Sequence, residues 1–375
     1  MDMVTRLVLA VSVVVFAIPA ESPSRDSCDL TVHEWGTFTS VAGADGSAMD
    51  WDALGCKDDL PTFVNDFGYR GFKGTLTGTV RMETPVIYFY SQEEVDARVR
   101  VAFPHGLITE WYPRANLTGM DTTLKTLTGA IEWNNIRIQP HTTPALPLES
   151  AASRYYAARE TDAAPITVSG EHEKFLFYRG VGRFPVALFA RVAANGAVTA
   201  ETRGHDQVPF VMYFENRGGR LGYRNAVALD GAVTLDPPAL VGDFQHLRRD
   251  LQQALIEQGL FPKEALAMVE TWKDSWFEEG ARLIYIVPSR AIDEVLPLQI
   301  EPQPLQTTRV FVGRIELLTP EVIGTVERAI VAKDSVTINR YRRFLEPILK
   351  QIAARGPDGT VEVQQFYKTM SGRCE

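Results

Sequence analysis

The sequence predicts a β-rich protein, with an antiparallel β-sandwich in the N-terminal two thirds and an α/β, helix-rich C-terminal third. Short segments rich in Val, Ile, Tyr, Phe and Thr recur from Leu30 to Asp236, as is typical of strands. Turn residues separate them, and Asn195-Gly196 is a typical hairpin turn. After Pro237-Pro238 the apolar residues recur at helical spacing. Strands without long helices between them favour antiparallel sheets.

Ten segments of the first part are predicted as strands. They are Leu30–Val41, Pro85–Ser91, Val95–Phe103, Leu107–Tyr112, Ala130–Ile138, Lys174–Tyr178, Pro185–Ala193, Ala197–Thr202, Pro209–Glu215 and Leu221–Leu229. Residues 142–170 hold several Pro, Ala and Ser residues and are predicted to be a long crossover loop.

The C-terminal part combines helices with two strands. A first helix follows Pro237-Pro238 and stops at Gly259, and a second begins at Pro262 and ends before Gly280. Strands are predicted at Arg282–Val287 and Thr308–Leu317. Thr319-Pro320-Glu321 is a helix start. Ser335 is expected to cap one last helix, which Pro347 should kink.

The first twenty residues are predicted to be a cleaved secretory signal peptide. Arg6 gives a positive start, Leu7 to Ile18 is apolar but short for a membrane span, and small residues follow. An uncleaved anchor is the alternative, because Ile18 stands where cleavage sites favour a small residue. The expected layout is a signal peptide at 1–20, an all-β domain at 21–236, and an α/β region at 237–375 packed on it. The protein is expected to be exported, to the periplasm or the medium.

The cysteines agree with export. Cys28, Cys56 and Cys374 are the three in the chain, and an oxidising compartment would pair two of them. The sequence leaves open which two form the disulfide. No cysteine or histidine spacing suggests a zinc site, and no segment after the signal peptide predicts a transmembrane span.

Charge composition excludes some classes of partner. The formal net charge is −9 and no basic run is present, which argues against nucleic acid and against anionic membrane surfaces. Arginine outnumbers lysine by 29 to 9. Guanidinium groups suit bidentate contacts with carboxylates or phosphates, although genome composition is the simpler explanation of the excess.

Three of the six tryptophans directly follow a glutamate: Glu34-Trp35, Glu110-Trp111 and Glu132-Trp133. In a strand, alternation turns each ring to one face and its carboxylate to the other. In a site for glycans, the rings would serve as stacking platforms and the carboxylates would carry out the acid/base chemistry. The substrate-binding candidates are therefore Trp35, Trp111, Tyr112 and Trp133. A buried tryptophan beside a solvated glutamate is the alternative.

The catalytic candidates are His33, Glu34, Glu83 and Glu110. Gly36, on the face of Glu34, leaves a gap in which a ligand would approach that carboxylate. His33 is a candidate metal ligand or proton shuttle. The segment lacks the HExxH spacing of zinc proteases. The alternative is that this segment is core and Gly36 marks a bulge.

The other two carboxylates lie in segments that also have structural explanations. Glu110 shares a strand face with Tyr112, and Pro113 would suit the end of an edge strand. Glu83 lies at the mouth of the apolar, covered strand that ends at Tyr90.

Two further charged groups are interpreted as structural. Arg309, Arg314 and Glu316 are predicted to form a salt-bridged strand face. Glu171-His172-Glu173 is predicted to be a solvated turn.

Four segments carry a resemblance. VHEWGTFTS, VRMETPVIYFY, LITEWYP and KFLFYRG together resemble an uncharacterised family of exported bacterial proteins that share an HEWGT motif. The resemblance runs through most of the chain after the signal peptide and supports export. It implies no activity, cofactor or catalytic residue.

The favoured functional hypothesis is an extracytoplasmic hydrolase that acts on a polar polymer, such as a glycan or other envelope material, through carboxylate acid/base chemistry. The first alternative is a non-catalytic envelope binding or assembly protein. The second is a metal-dependent enzyme that uses His33. The sequence identifies no cofactor and leaves the oligomeric state open.

Overall fold

The structure is a computed structural model that describes residues 29–53, 60–68, 77–119, 127–204 and 206–354, together with Val363, Gln365 and Phe366. The predicted signal peptide and all three cysteines, Cys28, Cys56 and Cys374, lie outside the described residues. Cleavage and disulfide pairing therefore stay predictions. Among the described residues no helix has the length and apolar character needed to cross a bilayer.

The predicted β-rich class is confirmed, with several sheets. The strands are β1 Thr31–Val41, β2 Asn65–Asp66, β3 Val80–Tyr90, β4 Val95–Phe103, β5 Gly106–Tyr112, β6 Asn116–Thr118, β7 Gly129–Ile138, β8 Ile166–Val168, β9 Glu171–Glu173, β10 Leu176–Gly182, β11 Leu188–Val192, β12 Val198–Thr202, β13 Val208–Arg217, β14 Arg220–Leu229, β15 Ala232–Leu235, β16 Gly280–Ile286, β17 Leu298–Glu301 and β18 Gln306–Leu317. The α-helices are α1 Phe244–Glu257, α2 Pro262–Trp276, α3 Ser289–Val295, α4 Pro320–Val331, α5 Ser335–Arg340 and α6 Leu345–Ala353.

A large central sheet carries every predicted catalytic residue. Within the described residues it has nine strands in the order β14-β13-β16-β18-β1-β3-β10-β5-β2. Two smaller sheets follow the orders β11-β12-β15 and β17-β4-β7-β8-β9, the latter with β6 beside β7. The predicted strands of the first region pair with one another in antiparallel fashion, and the parallel contact lies between the first region and a C-terminal strand. β1 pairs in parallel with β18 from Thr31 to Val41, because the long connection between them crosses the sheet.

Two hydrophobic cores lie on opposite sides of the central sheet. The first core joins central-strand residues such as Val32 and Tyr178 to residues of the smaller sheets, including Trp133, and to α4 and α6. The second core joins other residues of the same strands, including Trp35 and Phe177, to α1 and α2. Both faces of β1 are therefore covered, and residues 32–41 are all buried.

Two strands of the C-terminal region, β16 and β18, belong to the same central sheet, whereas β17 pairs with β4 in a smaller sheet. β18 lies directly beside β1, and β16 lies between β18 and β13. The regions predicted as 21–236 and 237–375 thus share one sheet across the boundary at residue 236. All ten predicted strands of the first region overlap observed strands.

Three local predictions differ from the structure. The single helix predicted after Ser335 is divided into α5, a 3-10 turn at Arg342–Phe344, and α6, and its cap is Asp334. Pro347 then falls in the first turn of α6, where a missing N–H costs little. The predicted loop 142–170 contains a 3-10 helix at Arg154–Arg159 and strand β8. The predicted turn at Glu171 is β9, where Glu173 is buried and paired with Arg159.

Candidate functional site

The HEWGT segment divides its side chains between the two cores. Glu34 faces the first core, where Tyr178 donates a hydrogen bond to Oε1 at 2.5 Å. His33 and Trp35 face the second core, beneath α2. This is the predicted alternation, but neither face is open, because layers cover the central strand on both sides.

Glu34 is held on both oxygens. Besides Tyr178, Arg309 donates from Nε to Glu34 Oε2 at 2.6 Å, and Arg309 is its register partner on the parallel strand β18. Burial, followed by the nearby Glu34 carboxylate, raises the pKa of the Tyr178 hydroxyl well above its ordinary value. Tyr178 therefore stays a neutral donor, and Glu34 is a fully paired structural carboxylate.

The expected gap at Gly36 is filled by the protein itself. A Cβ at this position would lie 2.7 Å from Phe311 Cε1 and 3.1 Å from Pro85 Cα. The register between β1 and β3 shifts there, and Thr84 has a φ of 48°. The bulge is thus on β3, and the space beside Glu34 accommodates a ring and a backbone rather than a ligand.

His33 forms a buried pair with α2. Its Nδ1 donates to Glu264 Oε2 at 2.7 Å, while Tyr90 donates to Glu264 Oε1 at 2.8 Å. The Phe261 amide also donates to Glu264, at 2.8 Å. Burial and the carboxylate of Glu264 raise the pKa of Tyr90. The pair fixes the start of α2 to the central strand.

The described residues contain no group of three or more His, Cys, Asp or Glu side chains placed to hold a metal ion. The metal hypothesis for His33 therefore gains no ligand set from this part of the chain.

The predicted aromatic platforms are largely internal. Trp35 and Trp133 have no exposed surface, and Tyr112 is 4% exposed. Trp133 Nε1 donates to the carbonyl of Pro113 at 3.0 Å. Trp111 alone of the four is partly exposed, and it packs against the first core. A ring that is buried in a core cannot stack on a sugar at the protein surface. Trp35, Tyr112 and Trp133 therefore do not form the expected surface platform.

Glu34 and Glu110 are not brought together. Glu110 shares the side of Tyr112, which packs in the second core, whereas Glu34 faces the first. Between β1 and β5 lie β3 and β10, which makes three strand steps of roughly 4.8 Å each. Two carboxylates on opposite faces of a sheet cannot flank one glycosidic bond.

Glu83 lies on the helix side and leads into an unusual polar region. Its register partner on β1 is Thr37, and Thr39 is the partner of Arg81 on one side and of Arg314 on the other. Arg179 on β10 is paired with Glu110 on β5. These positions form a polar band across five adjacent strands, β18, β1, β3, β10 and β5, beneath the C-terminal half of α2.

We call the basic part of this region the arginine cluster. Its members are Arg81, Arg154, Arg179, Arg282, Arg314 and Arg343, which surround Glu83, Glu278 and Glu316. Among the described residues of the band, six arginines thus face these three glutamates and Glu110.

Part of the arginine cluster is an alternating chain of ion pairs. Glu316 accepts from Arg282 at 3.1 Å and from Arg314 at 3.0 Å, and Arg314 also donates to Glu278 at 2.7 Å. Arg343 continues the chain through an ion pair with Glu83. Ser275 on α2 joins the two branches, since its hydroxyl accepts from Arg314 at 2.8 Å and also from Arg343.

The electrostatic environment at the Glu83 end is strongly positive. Burial opposes ionisation of Glu83, but Arg343, Arg81, Arg154 and Arg179 outweigh it and lower its pKa to about 2. Burial also lowers the pKa of Arg343 to about 10, with repulsion from Arg314 and Arg81 acting against the attraction of Glu83. Neighbouring arginines thus act in the same direction on both pKa values, because they favour the anion of Glu83 and oppose the cation of Arg343.

Several donors at this end are buried without a hydrogen-bond partner in the described structure. They are Arg81 Nε, Arg343 Nε and Arg314 Nε, together with the hydroxyls of Thr37, Thr39 and Thr271. Each such donor costs about 1–3 kcal/mol when left unpaired. Arg343 and Glu278 keep 19% and 24% of their side-chain surface exposed. The cluster is therefore accessible to solvent between the 3-10 turn at residues 342–344 and the end of α2.

Sequence reasoning singled out Glu83, with Arg81 beside it at the mouth of the strand, but did not bring the other arginines of the cluster to it. Arg314 and Glu316 do form the predicted salt-bridged face, whereas Arg309 lies on the other side of β18 because its position has the opposite parity. The available signal was the arginine excess, together with charged residues inside otherwise apolar strands.

The comparisons with known proteins add no assignment. A scan against models of protein families found no match, and a search of curated proteins found none. The functional proposal therefore depends on the geometry of the arginine cluster.

Proposed function

We propose that the protein is an exported binding protein whose arginine cluster captures an oxyanion group, a phosphate, sulfate or carboxylate, on an extracytoplasmic ligand. The observation that carries the proposal is the set of four arginines near the buried carboxylate of Glu83, with unpaired Nε–H groups on Arg81 and Arg343.

A bound oxyanion would accept hydrogen bonds from the buried donors that have no partner in the described structure. Guanidinium forks bind carboxylate and phosphate oxygens bidentately, with charge-assisted hydrogen bonds. Buried donors without a partner, such as Arg81 Nε and Arg343 Nε, cost about 1–3 kcal/mol each. A bound anion offsets that cost and accepts from Arg81, Arg343 and the hydroxyl of Thr37.

Binding is favoured here over hydrolysis. The predicted acid/base pair Glu34 and Glu110 is divided between two faces. Glu83, with a pKa of about 2, carries no proton at neutral pH and so cannot act as a general acid. The geometry thus supports the first alternative, a non-catalytic envelope binding protein.

Export and the disulfide belong to this proposal. They are supported by the apolar segment after Arg6, the small residues before Glu21, and the pattern of three cysteines. An envelope ligand with acidic groups, such as an acidic polysaccharide, would be the natural partner of the cluster.

We also propose the finer description of the fold. The first core is supplied by the central sheet and by both smaller sheets, which supports a β-sandwich. All six α-helices of the described chain follow residue 243, which supports a helix-rich C-terminal third whose α1 and α2 cover the second face of the central sheet.

The test is thermal unfolding of the purified protein with inorganic phosphate, sulfate or acetate, each compared with chloride at the same ionic strength. We expect at least one oxyanion to raise Tm, since a ligand at about one hundred times its Kd stabilises by about 2.7 kcal/mol. Arg81→Met keeps the aliphatic stem and removes the fork, so it should weaken binding about tenfold or more.

Thr37→Val and Arg183→Met complete the design. Thr37→Val removes an unpaired buried hydroxyl, so the free protein should be as stable or more stable while anion binding weakens. Arg183 lies at the surface with Asp50, and Arg183→Met should bind like the wild type. The proposal is overturned if no oxyanion exceeds chloride, or if Arg81→Met binds as tightly as the wild type.

A further inference from the structure

A second site is formed on the other side of the central sheet, at a cavity of about 590 Å³ between α3, β17 and the start of β18. This volume lies within the roughly 300–1,000 Å³ range of small-molecule sites. Polar side chains dominate the lining: Ser289, Asp293, Gln299, Gln303, Thr307 and Arg309. Ile300 and Pro304 add apolar surface.

Arg309 is the fixed element of this cavity. Its side chain is 7% exposed, and Nε and Nη1 donate to Glu34 at 2.6 Å and to Asp293 at 2.7 Å. Nη2 is buried without a partner in the described residues. Because Tyr178 holds Glu34 from behind at 2.5 Å, the guanidinium is positioned before any ligand arrives, which reduces the entropy cost of binding.

The charges around the cavity decide the chemistry of its ligand. Arg309 is one cation between the carboxylates of Glu34 and Asp293, and Glu301 also lines the cavity. An anion would meet excess negative charge. A neutral hydroxyl group, in contrast, accepts from Arg309 Nη2 and donates to Asp293, and the amides of Gln299 and Gln303 offer both donors and acceptors.

We propose that this cavity is a binding site for a neutral polyhydroxylated ligand, a saccharide of one or two rings, with Arg309 and Asp293 as its central contacts. The site is separate from the arginine cluster, since Arg309 and Arg314 point to opposite faces of β18. It does not depend on the oxyanion proposal.

The experiment is ligand-observed NMR titration of the full chain with glucose and maltose, and with glucuronate and glucosamine as charged analogues of glucose. We expect the neutral sugars to bind and glucuronate to bind at least several-fold more weakly than glucose. Gln303→Ala and Asp293→Ala should each weaken binding about tenfold. Asp293 is 65% exposed, so its removal should leave the fold intact.

Matched controls separate this site from the first one. Gln207 is exposed and donates to the carbonyl of Ala228, so Gln207→Ala should bind sugars like the wild type, and so should Arg81→Met. The proposal is overturned if neither neutral sugar binds, if glucuronate binds more tightly than glucose, or if Gln303→Ala and Asp293→Ala both leave binding unchanged.

Discussion

At the scale of single residues, two carboxylates predicted to be catalytic, Glu34 and Glu83, are bound by neighbouring side chains. Glu34 accepts from Tyr178 and Arg309, and Glu83 is paired with Arg343. Both carboxylates are buried and bound by arginines, so these positions are buried ion pairs. Their removal should be felt mainly as a loss of folding stability.

Glu83→Gln should destabilise the protein by about 3–5 kcal/mol near neutral pH, because it leaves buried arginines uncompensated. The folded-state pKa of about 2 lies below the ordinary 4.5. The stability from Glu83 is therefore complete above pH 4.5 and is lost as the pH falls toward 2. Urea unfolding across this range should show a shallower acid decline in the variant.

The control for Glu83 is Glu294→Gln, since Glu294 and its partner Arg290 are both more than half exposed and such pairs contribute about 0–1 kcal/mol. An acid decline of the same steepness in wild type and Glu83→Gln would contradict the assignment.

The pair of His33 and Glu264 gives a second prediction at this scale. Single variants His33→Leu and Glu264→Gln, combined in a double-mutant cycle, should show a coupling of about 1–3 kcal/mol in the free energy of unfolding. The reason is that each leaves the other polar group buried without its partner. Additive effects would show that the pair is not coupled.

At the scale of elements, the position of the central strand β1 is determined by close contacts with its neighbouring strands. Gly36 faces the ring of Phe311 and the backbone of Pro85, and the bulge at Thr84 allows β3 to pass it. The HEWGT segment therefore joins three elements: α2 through His33, β18 through Glu34, and β3 through Gly36.

Two glycines provide a matched prediction. Gly36→Ala places a Cβ 3.1 Å from a backbone atom and should destabilise by about 1–3 kcal/mol through overpacking. Gly324→Ala, inside α4, meets only the Arg328 guanidinium at 3.1 Å and should stabilise by up to about 1 kcal/mol through helix propensity. Chemical denaturation measures both, and equal signs would contradict the role given to Gly36.

At the scale of the whole molecule, the parallel pairing of β1 and β18 links the first and the last strand of the described chain. β16 and β18 separate β13 from β1 within the central sheet, so residues 206–236 reach β1 only through C-terminal strands. Neither region can complete its cores alone, because residues of both supply the first and second cores.

We therefore expect residues 29–236 and 237–354 to unfold in one cooperative transition. Calorimetry should give one peak, and hydrogen exchange should show similar maximal protection for amides of β1 and β18. Separate transitions, or a fragment starting near residue 237 that melts cooperatively by itself, would show two independent units.

What could be predicted followed from local rules. The ten N-terminal strands, the start of α2 at Pro262 and the cap Thr319 depend on alternation, proline and hydroxyl caps that act within a few residues. The failures had distant causes. The helix after Ser335 is broken where Arg343 turns inward to Glu83, and the tryptophans were buried by layers contributed from elsewhere in the chain.

The sequence by itself determined the β-rich class, the positions of most strands and helices, and the opposite facing of His33 and Glu34, because these depend on neighbours along the chain. Only the tertiary structure decided the parallel contact of β1 with β18, the covering of both faces, and the gathering of Arg81, Arg314 and Arg343 near one glutamate. Those contacts join residues up to 275 positions apart, and no local pattern encodes which distant side chain will meet which.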